Sequence, residues 1–239
     1  MMAASVGVHV RPPRLREGRV ELRPLAELDG RAWRVLHTHF RDPEIAHLNG
    51  TPPSRMPLWL LRRVLRADAA RHDRRTFGVF DEGAACIGTI ELYDLRASEA
   101  TIGIIIGERS HWSRGYGSEA MRALLTYAFE ELGLERVRLH TFGDNLRAQA
   151  AFRKVGFVEQ RRETGARGRV DVHMALLRTA WFAHRGRPAL APQADVAPVS
   201  DGAGATASVP RPPAPPVASP SSSASVSSPS TSAIVAGSK

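Results

Sequence analysis

Cysteine and lysine are nearly absent from this chain. Cys86 is the single cysteine among 239 residues, which excludes an intrachain disulfide and any site built from several thiolates. Lysine occurs only at Lys154 and Lys239, so almost all of the 33 basic residues are arginine. No apolar run is long enough to cross a bilayer. Near the start, the apolar stretch Val6–Val10 is interrupted by His9 and is too short for a signal peptide, so we expect a cytoplasmic protein without membrane contact.

Acidic residues are also in deficit, at 24 against 33 basic residues, and the formal net charge is +9. Apart from Arg211, the arginines are spread over the first 187 residues rather than concentrated in one segment. A nucleic-acid-binding face should concentrate its charge, so we do not expect a nucleic acid partner. Small anionic molecules remain suitable partners. The nine histidines show no spacing typical of metal ligands, and we expect no metal site.

The composition changes near residue 186. From Pro188 to Lys239 the chain consists mostly of Pro, Ala, Ser, Val and Gly. Such a segment cannot bury enough apolar surface to offset the entropy lost on ordering. We therefore predict a flexible N-terminal segment at residues 1–17, one folded domain at residues 18–184 and a disordered tail at residues 185–239.

Hydrophobic periodicity within the domain predicts the element order βααβββαβαββ. An order that mixes hairpins with crossovers indicates a mixed sheet and the α+β or α/β class. The predicted strands are residues 19–25, 77–81, 85–94, 100–106, 136–142, 157–163 and 169–177. The predicted helices are residues 28–40, 57–71, 117–132 and 145–155.

Two glycines lie two residues apart at the predicted start of a helix. Without side chains, Gly115 and Gly117 let a ligand approach the backbone closely. The unpaired amides and the positive end of the helix dipole would favour an anion such as pyrophosphate. Arg114 adds a positive charge and Ser118 a hydroxyl donor. A turn that only caps the helix would use the same residues, and the sequence alone leaves both interpretations open.

The same glycines satisfy a permissive form of the dinucleotide fingerprint, Gly115-x-Gly117-x-x-Ala120. In that fingerprint the glycines follow a strand directly, whereas here a polar loop precedes them. The motif also lies in mid-chain, and too little folded chain follows it to complete a doubly wound sheet. We therefore do not favour a dinucleotide-binding fold.

Two motifs in a fixed order resemble those of the GNAT superfamily of N-acetyltransferases. The first is WSRGYGSEA at Trp112–Ala120. The second begins with NLRA at Asn145 and ends, after Phe152, with KVGF at residues 154–157. The resemblance covers residues 19–177 and is strongest over residues 102–157. The Trp ahead of the loop and the YGSEA continuation look like the branch of ribosomal-protein N-terminal (alanine) acetyltransferases, which also includes enzymes acting on small amines.

This resemblance implies a GNAT-like fold with a mixed, mostly antiparallel central sheet and flanking helices. Residues 100–106 and 136–142 would be parallel neighbours that splay apart to receive the pantetheine arm of acetyl-CoA. Asn145 would bond the pantetheine or cap its helix, and Tyr116 would pack on the cofactor. The residues that the resemblance assigns to acetyl-CoA are Ile104, Ile105, Ile106, Arg109, Arg114, Gly115, Tyr116, Gly117, Ser118, Asn145 and Phe152.

The implied reaction moves the acetyl group of acetyl-CoA directly to a primary amine, either of a small molecule or of a protein N-terminus. Two positions depart from the family. Phe152 stands where a tyrosine often acts as general acid, and Thr101 stands where many members carry a glutamate base. The candidate bases are Glu91 and Glu99, with His140 and Asp94 as further alternatives. The departures also leave open a non-catalytic acyl-CoA-binding or regulatory domain on the same scaffold, and the sequence leaves open a homodimer.

Overall fold

One eight-stranded sheet organises the molecule. The structure is a computed structural model that describes residues 12–165 and 168–185. The spatial order is β1-β2-β3-β4-β5-β6-β8-β7, and β5 with β6 is the parallel pair while the other neighbours are antiparallel. The mixed, mostly antiparallel sheet confirms the predicted fold class. The strands are β1 (Leu15–Glu17), β2 (Val20–Pro24), β3 (Arg75–Phe80), β4 (Cys86–Tyr93), β5 (Glu99–Ile106), β6 (Arg136–Phe142), β7 (Val158–Thr164) and β8 (Val170–Leu177).

Helices cover both faces of the sheet. They are α1 (Gly30–Arg41), α2 (Pro43–Leu48), α3 (Leu58–Ala69), α4 (Tyr116–Thr126), α5 (Leu146–Val155) and α6 (Arg178–His184). Alternate residues of a strand point to opposite faces. Accordingly, Phe77 and Val79 join the core under α4, whereas Phe80 joins a second core with Trp33 of α1 and Leu61 of α3. The long helix predicted to end at residue 132 has a π-helical last stretch, at Tyr127–Glu131.

Three short elements were missed by periodicity. These are β1, α2 and α6, which have three, six and seven residues. Elements of this length present too few apolar positions for a repeat to be recognised. The prediction of a flexible segment up to residue 17 is wrong for Leu15–Glu17, because these residues pair with β2. The first eleven residues and the predicted tail from residue 186 lie outside the described residues.

Strands β5 and β6 pair only at their first residues. The parallel register joins Glu99 to Arg136, Ala100 to Val137 and Thr101 to Arg138. Beyond Thr101, β5 continues to pair with β4 as far as Ile106, and β6 continues to pair with β8. The two neighbours therefore diverge inside the sheet, as the predicted splay requires. Two inner strand edges are left facing each other across a gap.

Neither a membrane-spanning helix nor a group of three or more potential metal ligands is found in the part of the chain that the structure describes.

Candidate functional site

The gap between β5 and β6 opens into a cavity of about 480 Å³. The cavity runs from the start of α4 and the side of α5, across the gap, to strand β4 and the end of α2. Because β5 turns away from β6, the main chain of Ile104–Ile106 borders this space rather than a neighbouring strand. Unpaired strand groups offer hydrogen bonds that require no particular side chain. The structure thus brings Ile104, Ile105 and Ile106 to the place where the sequence predicted a pantetheine arm.

The start of α4 is uncovered toward the cavity because of its two glycines. Gly115 precedes the helix with a φ of 96°, a left-handed conformation that glycine adopts without strain. A Cβ on Gly117 would lie 3.7 Å from the Ile106 side chain and 3.9 Å from that of Ile104, so this position faces the gap. Gly115, Gly117 and Ser118 all line the cavity. The first amides of this 11-residue helix therefore border a space where an anion would be stabilised.

Two predicted cofactor residues direct their side chains elsewhere. Arg109 is held by Asp42 and Glu44 of the α2 start, each at 2.8 Å. The Tyr116 side chain is buried away from the cavity and donates its hydroxyl to the Glu82 carboxylate at 3.0 Å. This geometry corrects the prediction that Tyr116 packs on the cofactor and that the Arg109 guanidinium is available to it.

Arg114 occupies an intermediate position. Its side chain is exposed, and its main-chain carbonyl accepts a hydrogen bond from Arg19 at 2.8 Å. The guanidinium lies outside the cavity lining but belongs to the turn that immediately precedes Gly115. Contact between Arg114 and a phosphate stays a prediction.

A tryptophan and an arginine without an assigned role also line the cavity. The Arg147 guanidinium stacks 3.5 Å above the Trp112 ring, and the Trp112 Nε1 donates to the Ile106 carbonyl at 2.6 Å. Burial lowers the pKa of Arg147, while Glu44 raises it. Both residues belong to the motifs that carried the resemblance. In the sequence, a positive charge at the third position of the Asn145–Ala148 motif was the feature that could have identified Arg147 as a cavity residue.

Asn145 and Phe152 lie on α5, where the sequence predicted them. The Asn145 side-chain oxygen accepts the Ala148 amide at 3.2 Å, so the capping interpretation is confirmed. Phe152 is buried, packs edge-on against Phe157 with centroids 6.3 Å apart, and lines the cavity. Its ring supplies an apolar wall and has no proton to transfer.

Glu91 is a buried carboxylate in the cavity wall. Alternation along β4 turns Thr89, Glu91 and Tyr93 toward the cavity. Glu91 is only 5% exposed, and Arg74 Nη1 donates to its Oε2 at 2.9 Å. A buried charge needs such a partner because desolvation alone is costly. The same Arg74 nitrogen lies 2.8 Å from Asp68, whose pKa burial raises to about 6.

The strands on either side of Glu91 give it different surroundings. On β3 its direct neighbour is Thr76, whose hydroxyl donates to Glu91 Oε2 at 3.3 Å. On β5 its direct neighbour is Gly103. A Cβ at Gly103 would lie 3.6 Å from Glu91 Oε1, so the missing side chain leaves space between this oxygen and the gap. Glu91 is therefore anchored by Arg74 and Thr76, and its strand neighbour Gly103 places no side chain between it and the gap.

Glu99 lies outside the cavity. It occupies the part of β5 that still pairs with β6, and Arg138 binds its carboxylate at 2.8 Å. The cavity lining does not include it. Of the two carboxylates predicted as bases, the structure brings only Glu91 to the site, and Glu99 does not reach an amine bound there unless the strands rearrange.

His140 of β6 also lines the cavity. Its side chain is exposed to solvent, and the neighbouring protein still removes part of its hydration. This desolvation lowers its pKa below the usual 6.5, the charge of neighbouring His173 lowers it further, and Asp171 counteracts them. The imidazole is therefore neutral at pH 7 and able to accept a proton.

We expect His140 to titrate below pH 6.5 in the folded protein. An NMR titration of the histidine ring signals, assigned with the variant His140→Gln, measures this pKa directly. Since the unfolded chain would take up this proton first, the contribution of His140 to stability is lost as the pH falls below 6.5. A midpoint at or above 6.5 would contradict the expected desolvation.

Comparisons with known proteins agree with this geometry. The family model that matches residues 19–158 is described as an acetyltransferase (GNAT) domain. The uncharacterized N-acetyltransferase p20 of Bacillus licheniformis is 28% identical over 151 residues, which are 59% of this chain and 83% of that protein. A spermidine N-acetyltransferase from Vibrio cholerae, solved with CoA and spermine, superposes with a TM-score of 0.61 at 22% identity. The match covers 69% of this chain and 98% of that one.

A GNAT-family acetyltransferase from Bacillus anthracis superposes with a TM-score of 0.59 at 18% identity, over 70% of this chain and 99% of that one. At these identities the structural likeness shows the fold.

Proposed function

The chain belongs to the acetyltransferase (GNAT) family, and from this premise we propose that it transfers the acetyl group of acetyl-CoA directly to a primary amine. One observation carries the proposal. Strands β5 and β6 separate beyond Thr101, beside an α4 start that its glycines leave uncovered. A thioester on a flexible arm needs a narrow channel, and a diphosphate needs amide donors. The two features stand next to each other in one cavity.

The donor half of the cavity suits the parts of acetyl-CoA. The amides at Gly115, Gly117 and Ser118 would hold the diphosphate. The main chain of Ile104–Ile106 would bond the amides of the pantetheine arm. Arg147, stacked on Trp112, would contribute a positive charge to a phosphate.

The other half of the cavity, between β4, the end of β6 and α2, is the acceptor half, and it contains groups that can bind and deprotonate an amine. An alkylammonium ion must lose a proton before its nitrogen can attack. In the proposed reaction Glu91 receives the ammonium group, and the neutral His140 imidazole accepts the proton directly or through water. The nitrogen then bonds to the thioester carbonyl carbon, the carbon–sulfur bond breaks, and the thiolate leaves. The nitrogen loses a second proton as the amide forms, and because Phe152 has no proton to give, water relays a proton to the leaving thiolate.

The acceptor could also be a protein N-terminus, as the resemblance to the ribosomal-protein branch implies. Among the relatives described above, p20 is named as an N-acetyltransferase and the Vibrio protein as a spermidine N-acetyltransferase, and neither name points to that branch. Spermidine, named for the Vibrio protein, is an acceptor candidate by analogy.

A non-catalytic acyl-CoA-binding domain is the second candidate. The absence of an acidic proton at Phe152 and of a carboxylate at Thr101 favours it. Release of CoA from acetyl-CoA in the presence of an amine panel separates the two functions, because a binding domain would be stabilised by acetyl-CoA and yet release none.

Millimolar acetyl-CoA should raise the melting temperature by about 5 °C or more. A ligand at about 100 times its dissociation constant stabilises a protein by about 2.7 kcal/mol, which corresponds to such a shift for a domain of this size. A thermal-shift assay measures it, with NADH at the same concentration as the control. Equal melting temperatures with and without acetyl-CoA would contradict the proposal.

A further inference from the structure

Negative charge is scarce in the cavity. Among the lining residues in the described ranges, Glu91 is the one carboxylate. The Arg74 guanidinium lies 2.9 Å from the Glu91 carboxylate and balances its charge. Glu91 can therefore accept hydrogen bonds from one cationic group of a ligand, but the site has no excess of negative charge. One carboxylate of this kind can match one ammonium group.

Three acidic residues beside the cavity already bind arginine side chains. Asp42 and Glu44 bind Arg109, each at 2.8 Å. Asp144, before α5, binds Arg169 at 3.0 Å and lies 3.5 Å from the His47 ring. A second ammonium group that reached Asp42, Glu44 or Asp144 would have to compete with these arginines for the counter-charge.

Where α2 and β6 end, the described residues of the cavity wall include no charged side chain and combine apolar residues with the neutral Asn49 and Thr141. Ile45 and Leu48 contribute from α2, and Phe142 contributes from β6. Close packing holds α2 there, because Gly50, just after the helix, lies against the Phe142 ring and has no room for a Cβ. The wall is therefore built into the fold and favours an uncharged, hydrophobic body.

We infer that the acceptor is a monoamine, with one ammonium group for Glu91 and an uncharged apolar remainder against Ile45, Leu48 and Phe142. Diamines and polyamines are poor acceptors, because a second ammonium group would lose its hydration without gaining a partner. The net charge of +9 also opposes the approach of polycations. This inference rests on the proposed function, whose amine site it specifies.

A pair of ligands of equal size tests the inference. n-Hexylamine and 1,5-diaminopentane have the same number of heavy atoms. The far end of the first is a methyl group, and the far end of the second is a second ammonium group. Calorimetry measures the binding of each to the full chain saturated with CoA, and CoA release from acetyl-CoA measures turnover. We expect hexylamine to bind at least about tenfold more tightly. Equal or tighter binding of the diamine, or of spermidine, overturns the inference.

The two readouts separate the inference from the function it rests on. If hexylamine binds with the expected preference but no amine releases CoA, the transfer reaction fails and the monoamine site stands. If the diamine is acetylated as well as hexylamine, the reaction stands and the inference fails. A peptide beginning with leucine tells whether the apolar amine is a free molecule or a chain terminus, and its acetylation supports the same chemistry.

A charge added to the apolar wall should remove the preference. In Leu48→Glu a second carboxylate lines the acceptor half, and diamine binding should improve by about tenfold relative to hexylamine. Leu48→Gln is the matched control, because it adds polarity without charge and should not improve diamine binding. An unchanged preference in Leu48→Glu would contradict the argument from charge.

Discussion

Replacing Glu91 by glutamine should lower kcat/KM for amine acetylation by about 100-fold or more, which is the range expected when one partner of a buried charge pair is lost. The glutamine keeps the size of the side chain and removes its charge, so the ammonium group loses its partner. Acetyl-CoA binding should persist, because Glu91 lies on β4 and not at the α4 start. Steady-state kinetics with the best amine of the panel measure the loss.

The same variant should also be less stable. Arg74 is only 2% exposed and now bridges the carboxylates of Asp68 and Glu91. Without the Glu91 charge, Asp68 is the one of these two ionic partners that remains for the buried guanidinium. The shift in melting temperature caused by acetyl-CoA shows whether the variant is folded. Glu99→Gln is the matched control, since it removes a strand carboxylate that binds Arg138 outside the cavity. Its activity should stay within about twofold of the parent. Activity of Glu91→Gln at the level of Glu99→Gln would exclude Glu91 from the reaction.

Replacing Gly117 by leucine should weaken acetyl-CoA binding by about 100-fold while the domain stays folded. Gly117 lies within the first turn of α4, and a Cβ there would make ordinary contacts with Ile104 and Ile106. Leucine is also a better helix former than glycine. The rest of the side chain would occupy the cavity at the amides proposed for the diphosphate. Calorimetric titration with acetyl-CoA measures the effect.

Gly30→Leu provides the matched control for this variant. Gly30 is also in the first turn of a helix, but of α1, where a Cβ would meet only the end of Arg34 at 3.6 Å. It should bind acetyl-CoA like the parent protein. If Gly117→Leu binds equally well, the ligand does not lie at the start of α4 and the proposed donor site is wrong.

Patterns within short stretches of sequence were enough to predict the local structures that border the donor half of the cavity. A helix start is a local structure, and Gly115, Gly117 and Asn145 act through the backbone of the residues beside them. The apolar repeat along residues 117–132 and the strand at residues 136–142 likewise reflect local periodicity. These features follow from short stretches of chain, so the order of motifs was sufficient to predict them.

The acceptor half depends on contacts between distant parts of the chain. In the sequence, Glu91 and Glu99 are equivalent strand carboxylates. They differ because β4 places Glu91 beside Arg74 and Gly103, whereas Glu99 falls on the paired end of β5 beside Arg138. Tyr116 was misassigned for the same reason, since its partner Glu82 is 34 residues away.

Local propensity, glycine conformation and helix capping act over a few residues, and they were enough to predict the α+β class and the glycine turn at the start of α4. The divergence of β5 from β6 depends on how the whole sheet twists and on which partners each strand keeps. The identity of the buried carboxylate and the apolar wall of α2 depend on pairings over tens of residues. Such long-range choices follow from the packing of the complete domain, because desolvation and ion pairing are determined by neighbours that no short segment contains.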